Sequence, residues 1–573
     1  MISRNSAKVN EFLQILRFTF STESDILKGK LIIVFFSLVR KEQKGQKEES
    51  FDSRLGVAHI RFTPALLTFG TFLHRKVRQE KTFFKFLFGR PIFAYKKYFD
   101  IEIIIQNPRI LQAAQKRRKN ILHTTPEAHY KKMTETPVSK LVFTLGIPTT
   151  ISMLITNIYN MADTYFVGTL GESPQAATGI LFTLQAIIQA IAFMLGHGSG
   201  TYVSKALADK DTKEATKYVS TAFFTGAAAG TLLTVLGLIF ITPFMRLLGS
   251  TETILPYAKD YGFWVLISCP FMVCSLILNN NLRYEGKAFY AMIGLTTGGL
   301  LNILGDYILV RVYDFGVWGA GLSTAVSQII SFVILLVLYL RDAQSTVSLK
   351  AFSWSGTVHL NIIKGGLPSL IRQGLNSVSN GLLNNFMKPF GDAAIAAMSV
   401  VGRYSSFVMC VGLGVGQGFQ PVSSFNYQAK KYDRVKKGLL FTMGMGFFME
   451  GILAGVGFAF AEPIIRFFQN APDVIAIGVP ALRIASVGVI FQAVFVPVNM
   501  LYQSIRKSGI ASFLALLRSG AVFIPVLIIA SSVAGLDGII VAQPISDVLT
   551  ALISVPFIVM FMKKTPNSAE GNL

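Results

Sequence analysis

The chain has 573 residues, of which 51% are hydrophobic and only 15% charged, with a mean hydropathy of +0.50. Soluble globular domains carry about 25% charged residues, so scarce charge gathered between long apolar runs excludes an ordinary soluble domain and marks an all-α polytopic membrane protein. The net charge of +23 does not indicate a nucleic-acid partner: about 15 of those charges precede Met133, and the rest sit in short loops between apolar runs, as the positive-inside rule expects.

Residues 1–132 are basic and mixed in character, without sustained periodicity, and contain Lys116-Arg117-Arg118-Lys119. The apolar run Leu31 to Val39 is too short to span and has no small-residue cleavage site, so no secretory signal is read there. At Lys131-Lys132-Met133-Thr134-Glu135-Thr136-Pro137 a methionine and a short polar lead precede the first long apolar run. Residues 1–132 are therefore expected to be a disordered extension or a mis-assigned upstream start. The alternative is a basic cytoplasmic domain that touches anionic lipid.

Twelve spans follow, each near the 20 apolar residues that a bilayer requires. They run Leu141–Gly168, Pro174–Gly200, Tyr218–Ile241, Ala258–Leu282, Ala288–Val310, Val317–Leu340, Asn361–Lys388, Ala393–Gln420, Gly438–Phe460, Gly478–Gln503, Gly509–Ser532 and Leu536–Met562. Even-numbered loops are basic, as in Lys205, Lys210, Lys213 and Lys217 or Lys430, Lys431, Arg434, Lys436 and Lys437. Odd-numbered loops are nearly free of basic residues, with Arg246, Lys259, Arg311, Lys388 and Arg466 the exceptions. Both termini are expected in the cytoplasm, with the protein in the cell (inner) membrane. Cys269, Cys274 and Cys410 fall in apolar spans and form no disulfide framework or zinc spacing.

The spans repeat at an offset of 220 residues: Pro148 with Pro368, Asn160 with Asn380, Gly171 with Gly391, Gly196 with Gly416, Gly198 with Gly418, Lys287 with Lys507. Each half holds an even number of spans, so both enter the membrane in the same direction. The expected organisation is an N-lobe (133–345) and a C-lobe (346–573, with a short cytoplasmic tail), parallel repeats with the substrate path at their interface.

A charge in hydrocarbon is costly, so acids inside spans are candidate sites. Asp163 and Asp306 fall at similar depth in the outer parts of the first and fifth spans. Tyr159 lies four residues before Asp163 and Asn302 four before Asp306, on the same helical faces. Thr324 lies about two turns into the sixth span, with Gln328 one turn further, and Gln185 and Gln189 point inward from the second. Two carboxylates, an amide, a phenol and a hydroxyl can offer oxygens to Na⁺ through Asp163, Asn302, Asp306 and Thr324. The carboxylates can instead share a proton, because two close acids do not readily ionise together in low dielectric. The residues leave H⁺ and Na⁺ open. Asp163 could also be a wetted interface residue, and Asp306 a cap near Gly305.

Further substrate-cavity candidates lie in the second half. Asn376, Asn380 and Asn384 recur every four residues on the seventh span, as a cavity wall or as helix–helix bonds. Glu450 lies mid-span in the ninth helix, as a structural pair with a neighbour or a coupling residue, and Asp547 follows Pro544 in the twelfth, as a hinge partner or a cavity acid. His197 is expected to make a local hydrogen bond, and Arg372 to be buried against loop carbonyls or an acid. No phosphate-binding loop and no nucleophile–base constellation occurs, so neither an enzyme nor a cofactor is expected.

The segment Asn157-Ile-Tyr-Asn-Met-Ala-Asp163-Thr-Tyr-Phe-Val-Gly168 resembles the first-span motif of the multidrug and toxic compound extrusion (MATE) transporters, and Asn302-Ile-Leu-Gly-Asp306 their fifth-span motif. Gly365-Gly-Leu-Pro368-Ser-Leu-Ile-Arg372-Gln is similar to the seventh-span start of the bacterial DinF/MepA-like branch. The resemblance implies twelve helices in two six-helix lobes around a central cleft. It also implies a cation site at Asp163, Asn302, Asp306 and Thr324, with Tyr159 nearby. Where another branch carries an acid in the seventh span, this chain has only amides. The expected function is secondary active efflux of organic cations or amphiphiles in exchange for H⁺ or Na⁺, by a monomer whose partners are its substrates and membrane lipid. The alternative is a lipid-linked polysaccharide flippase, which calls for basic residues lining the cavity: Arg372, Arg403 and Arg518 are the candidates.

Overall fold

The computed structural model describes residues 125–566. Residues 1–124 of the expected extension lie outside the described residues, and the expected boundary at Met133 falls inside a helix, α1 (Pro126–Glu135). Its start follows local rules: Pro126 opens the first turn, and Thr125 Oγ1 accepts from the Ala128 N–H at 3.2 Å. The helix is docked, with His129 edge-on to Phe425 (ring centroids 5.5 Å apart) and the Met133 carbonyl accepting from Asn426 Nδ2 at 3.1 Å. Burial, then the nearby Lys287 and Lys132 ammonium groups, push His129 down to about 4.

The first lobe comprises α2 (Val138–Gly168), α3 (Glu172–Ala208), α4 (Thr212–Ile239), the short α5 (Ile241–Leu247), α6 (Leu255–Tyr284), α7 (Ala288–Asp306) and α8 (Gly316–Asp342). The second comprises α9 (Gly356–Met387), α10 (Asp392–Gln428), α11 (Tyr432–Ala459), the short α12 (Ala461–Phe468), α13 (Pro472–Val489), α14 (Gln492–Ser504), α15 (Ser508–Leu516) and α16 (Phe523–Lys564). Among the described residues no strand forms.

Among the described residues, ten segments are long and apolar enough to cross a bilayer. The helix α9 is not among them, because Arg372 and its asparagines dilute its apolar character. The last segment, Ser508–Lys564, has 57 residues. At 1.5 Å per residue it would reach about 85 Å, far beyond a core of about 30 Å, and left-handed Gly535 (φ +54°) breaks it into two crossings. With α9 added and this segment split, the twelve expected spans are accounted for. The fold is all-helical, as expected.

The repeat is written in the backbone as well as the sequence. Left-handed residues recur at the same offset: Lys210 (φ 60°) with Lys430 (57°), and Gly286 (72°) with Arg506 (64°). So does a side-chain bond: Asn279 Nδ2 donates to the Ala291 carbonyl at 2.8 Å, and Asn499 Nδ2 to that of Ala511 at 2.7 Å.

The lobes meet where α3 crosses α9 and α2 crosses α10. At the end bearing the basic loops these crossings are backbone-close. A Cβ on Gly198 would collide with the Ile362 carbonyl oxygen, and one on Gly418 with Gly146 Cα. Toward the opposite end Asn380 and Asn384 are exposed. The lobes are thus shut at the basic-loop end.

Candidate functional site

The fifth span builds one wall of the site. Asn302 and Asp306, a helical turn apart on α7, share its inward face, and a π turn (Tyr307–Val312) begins directly after Asp306. Such turns relax the helical hydrogen-bond ladder and often mark functional positions. The facing helix α8 is held in register by Ser323 Oγ, which donates to the Asn302 carbonyl at 3.0 Å, and by Asn302 Nδ2, which donates to Thr324 Oγ1 at 3.1 Å. From α2, Asp163 completes the cluster. Its Oδ2 accepts from the Tyr261 hydroxyl of α6 at 2.7 Å, and that hydroxyl lies 3.2 Å from Thr324 Oγ1.

Asp163, Asn302, Asp306 and Thr324 are all buried, Asp306 completely. Four oxygens in this cluster have no hydrogen-bond partner: Asp163 Oδ1, Asn302 Oδ1 and both carboxylate oxygens of Asp306. Buried polar atoms are almost always bonded. A group of acceptors left bare around two acids fits a proton or a hard cation such as Na⁺, which takes carboxylate and carbonyl oxygens. Among the described residues no group of three or more His, Cys, Asp or Glu side chains could hold a transition metal. If Na⁺ is the ion, Asp163, Asn302, Asp306 and Thr324 would hold it, and their carboxylates would supply the charge that neutralises it.

Tyr159, one helical turn before Asp163 on α2, is buried at the edge of the cluster. Its ring needs Gly299, where a Cβ would come within 3.0 Å of it. Gln185 is buried and Gln189 half-buried, and neither bonds to the cluster. Sequence reasoning missed Tyr261 and Ser323. An inward-facing tyrosine near a span end reads the same as one in the interfacial aromatic belt, and a span serine reads as bonding its own helix.

The second-lobe acids are not on the open cleft, as expected of cavity residues, but sealed inside the lobe. Asp547 (1% exposed) accepts from Arg518 Nε at 3.0 Å and from Gln543 Nε2 at 2.9 Å. Glu450 is fully buried, over Gly412, with both carboxylate oxygens unpartnered. Asn376 is half-buried, and none of Asn376, Asn380 and Asn384 bonds to a neighbouring helix among the described residues. Exposed amides in a span belong to water rather than lipid. Of the three arginines a flippase would use, Arg518 is committed to Asp547 and Arg403 is exposed. Two expectations for single residues also change. His197 bonds across the lobes to Ser369 Oγ (2.6 Å) rather than locally, and Arg372 bonds an amide, Asn499 Oδ1 (2.9 Å), rather than an acid or loop carbonyl.

The MatE family model matches the chain twice, at residues 148–308 and 368–529, once per lobe. The chain is 27% identical over 440 residues to the multidrug export protein MepA of Staphylococcus saprophyticus, an alignment covering 76% of this chain and 96% of that protein. To MepA of Staphylococcus aureus it is 27% identical over 424 residues, covering 73% and 93%. A solved structure described as the outward-facing conformation of a multidrug resistance MATE family transporter is similar with a TM-score of 0.71 at 23% identity, covering 76% of this chain and 98% of that one. A MATE structure in the straight conformation gives 0.72 at 22% identity, covering 77% and 100%. The fold is theirs, and with the family model spanning both lobes the chain belongs to the MatE family, as a MATE transporter of the MepA-like branch.

Proposed function

We propose that the protein exports organic cations or amphiphiles, among them the kinds of drug that give the MepA relatives their name, in exchange for inward-moving H⁺ or Na⁺. The observation that carries this reading is the set of four bare oxygens around Asp163 and Asp306, deep in the first lobe. The positive-inside pattern of the loops supports a closed end at the cytoplasm and an asparagine-lined end outside.

The helix α2 connects ion to gate. It carries Asp163 toward its outer end and Gly146 at the lobe contact, with Pro148 between them. Proline leaves a bend point where one backbone hydrogen bond is missing. Loading the cluster with a cation neutralises the carboxylates and draws α2, α7 and α8 together. The α2–α10 crossing then shifts, favouring release of substrate outside, and emptying the site inward resets the lobes. The ion and the drug need only differ in affinity between the two lobe arrangements; a tenfold difference is about 1.4 kcal/mol.

The test is ethidium efflux from cells expressing the full chain, beside Asp163→Asn and Asp306→Asn at matched membrane expression. Efflux that collapses in both variants supports the reading. Efflux untouched by either removes the cluster from the mechanism.

A further inference from the structure

At the basic-loop end of the cleft, the lobe contact holds one buried and one half-buried arginine, and among the described residues no acid is bonded to either. Arg283 of α6 is 3% exposed and meets only neutral groups: Gln417 Oε1, Asn280 Oδ1, and His197 Nε2 at 3.1 Å. Arg372 of α9, from the other lobe, is half-buried, and its one hydrogen bond among the described residues is to Asn499 Oδ1. The two are joined through His197, which meets Arg283 at 3.1 Å and, at 2.6 Å, Ser369 one turn before Arg372 on α9; the Tyr284 ring lies edge-on to His197 with centroids 6.3 Å apart. Neither has a carboxylate within 4.0 Å among the described residues.

A buried guanidinium without a counter-charge is costly, and natural interiors nearly always pair it. Among the atoms left over are two that can donate. Arg283 Nε and the hydroxyl of Tyr284, a residue 1% exposed, are buried with no partner. Two positive charges with spare donors match an oxyanion, which guanidinium groups bind through parallel N–H bonds. The position matters as much as the charge. His197 Nδ1 and Gln503 Nε2 both meet Ser369 Oγ, at 2.6 and 2.8 Å, so this cluster spans the seal between the lobes and opens when they part.

We propose that Arg283 and Arg372, with the Tyr284 hydroxyl beside them, form an oxyanion site on the transport path that takes the carboxylate or phosphate group of an amphiphile. The substrate class thereby widens from cations to amphiphiles carrying one anionic group. The site shares no residue with the Asp163–Asp306 cluster and stands whether or not that cluster couples to an ion.

The test uses the full chain in phosphatidylcholine nanodiscs, with empty nanodiscs as the partition control. Dodecyl phosphate is titrated by thermophoresis against the unmodified protein, Arg372→Gln, Arg372→Lys and Arg403→Gln, with dodecyltrimethylammonium as the cationic counterpart. Arg372 is half-buried and singly bonded, so its variants test the site without emptying a packed core. Saturable dodecyl phosphate binding, weakened about tenfold or more in Arg372→Gln, partly restored in Arg372→Lys and unchanged in Arg403→Gln, with ammonium binding constant throughout, supports the site. Displacement by inorganic phosphate then assigns recognition to the oxyanion itself, and failure to displace assigns it to the lipid-borne headgroup. Equal dodecyl phosphate binding by the unmodified protein and Arg372→Gln, or none above empty nanodiscs, overturns it. Ethidium efflux is read separately on the same variants, so failed cation export is not mistaken for failure of this site.

Discussion

The Tyr261 hydroxyl ties together the acidic cluster proposed to hold the coupling ion. It donates to Asp163 at 2.7 Å and touches Thr324 at 3.2 Å, so it fixes how α2 faces α8. A hydrogen bond to a charged group contributes about 1.5–3 kcal/mol, and Tyr261→Phe is expected to lower ethidium efflux roughly tenfold or more at matched expression. Asp547 is the contrasting case. Its carboxylate is committed to Arg518, and breaking a buried pair costs about 3–5 kcal/mol because the surviving charge stays behind. Asp547→Asn should lower the melting temperature of the purified protein and leave saturable ion binding in place; loss of ion binding with an unchanged melting temperature would make it a coupling residue instead. Asp163, Asn302, Asp306 and Thr324 were legible because helical spacing and depth from the loops are local arithmetic. Tyr261 was not, because only the packing of α6 against α2 brings it to Asp163. The Arg518–Asp547 pair was hidden likewise, since two spans must be placed before the charges meet.

Among the elements, α1 and the glycine crossings carry the sharpest consequences. His129 sits at about 4, below its ordinary 6.5. The undocked helix therefore takes up a proton more readily, so docking is at full strength above pH 6.5 and weakens as pH falls toward 4. Hydrogen exchange across residues 126–135 should speed up between pH 6.5 and 4.5 relative to the intrinsic rate, and His129→Gln should abolish that dependence. An unchanged protection pattern would show that His129 does not hold α1. A methionine followed by an apolar run suggested a boundary at Met133, but the contacts of α1 with α10 come from a residue almost three hundred positions away, beyond the reach of local patterning. At the lobe contact, a side chain on Gly198 meets the Ile362 backbone, which cannot yield. Gly198→Leu should part the lobes at the basic-loop end, lengthening the electron-spin distance between labels at Lys213 and Lys430 by about 5 Å, the size of a small element shift. An unaltered distance would mean the crossing is looser than its geometry.

For the molecule as a whole, the duplicated frame is used asymmetrically. Turns, kinks and asparagine bonds recur at the 220-residue offset, yet the positions matching Asp163, Asn302, Asp306 and Thr324 are Leu383, Val522, Val526 and Pro544. Repetition kept the architecture and confined this chemistry to one lobe. The architecture was readable because span length, loop charge and a constant offset survive without any tertiary information. The closure of one end was not, since it depends on glycines that look like scattered small residues until α3 is laid on α9. One lobe with one cluster predicts one class of ion site per chain, linked to drug affinity in both directions. The decisive measurement is ion binding by purified full-length protein: ²²Na⁺ uptake and proton release at equilibrium, with and without ethidium, for the unmodified protein, Asp163→Asn and Asp306→Asn. Saturable binding of one of the two ions, lost in both variants and weakened by ethidium as much as that ion weakens ethidium, is the predicted result. Binding that persists in both variants, or that ignores ethidium, would contradict a coupling site at Asp163 and Asp306.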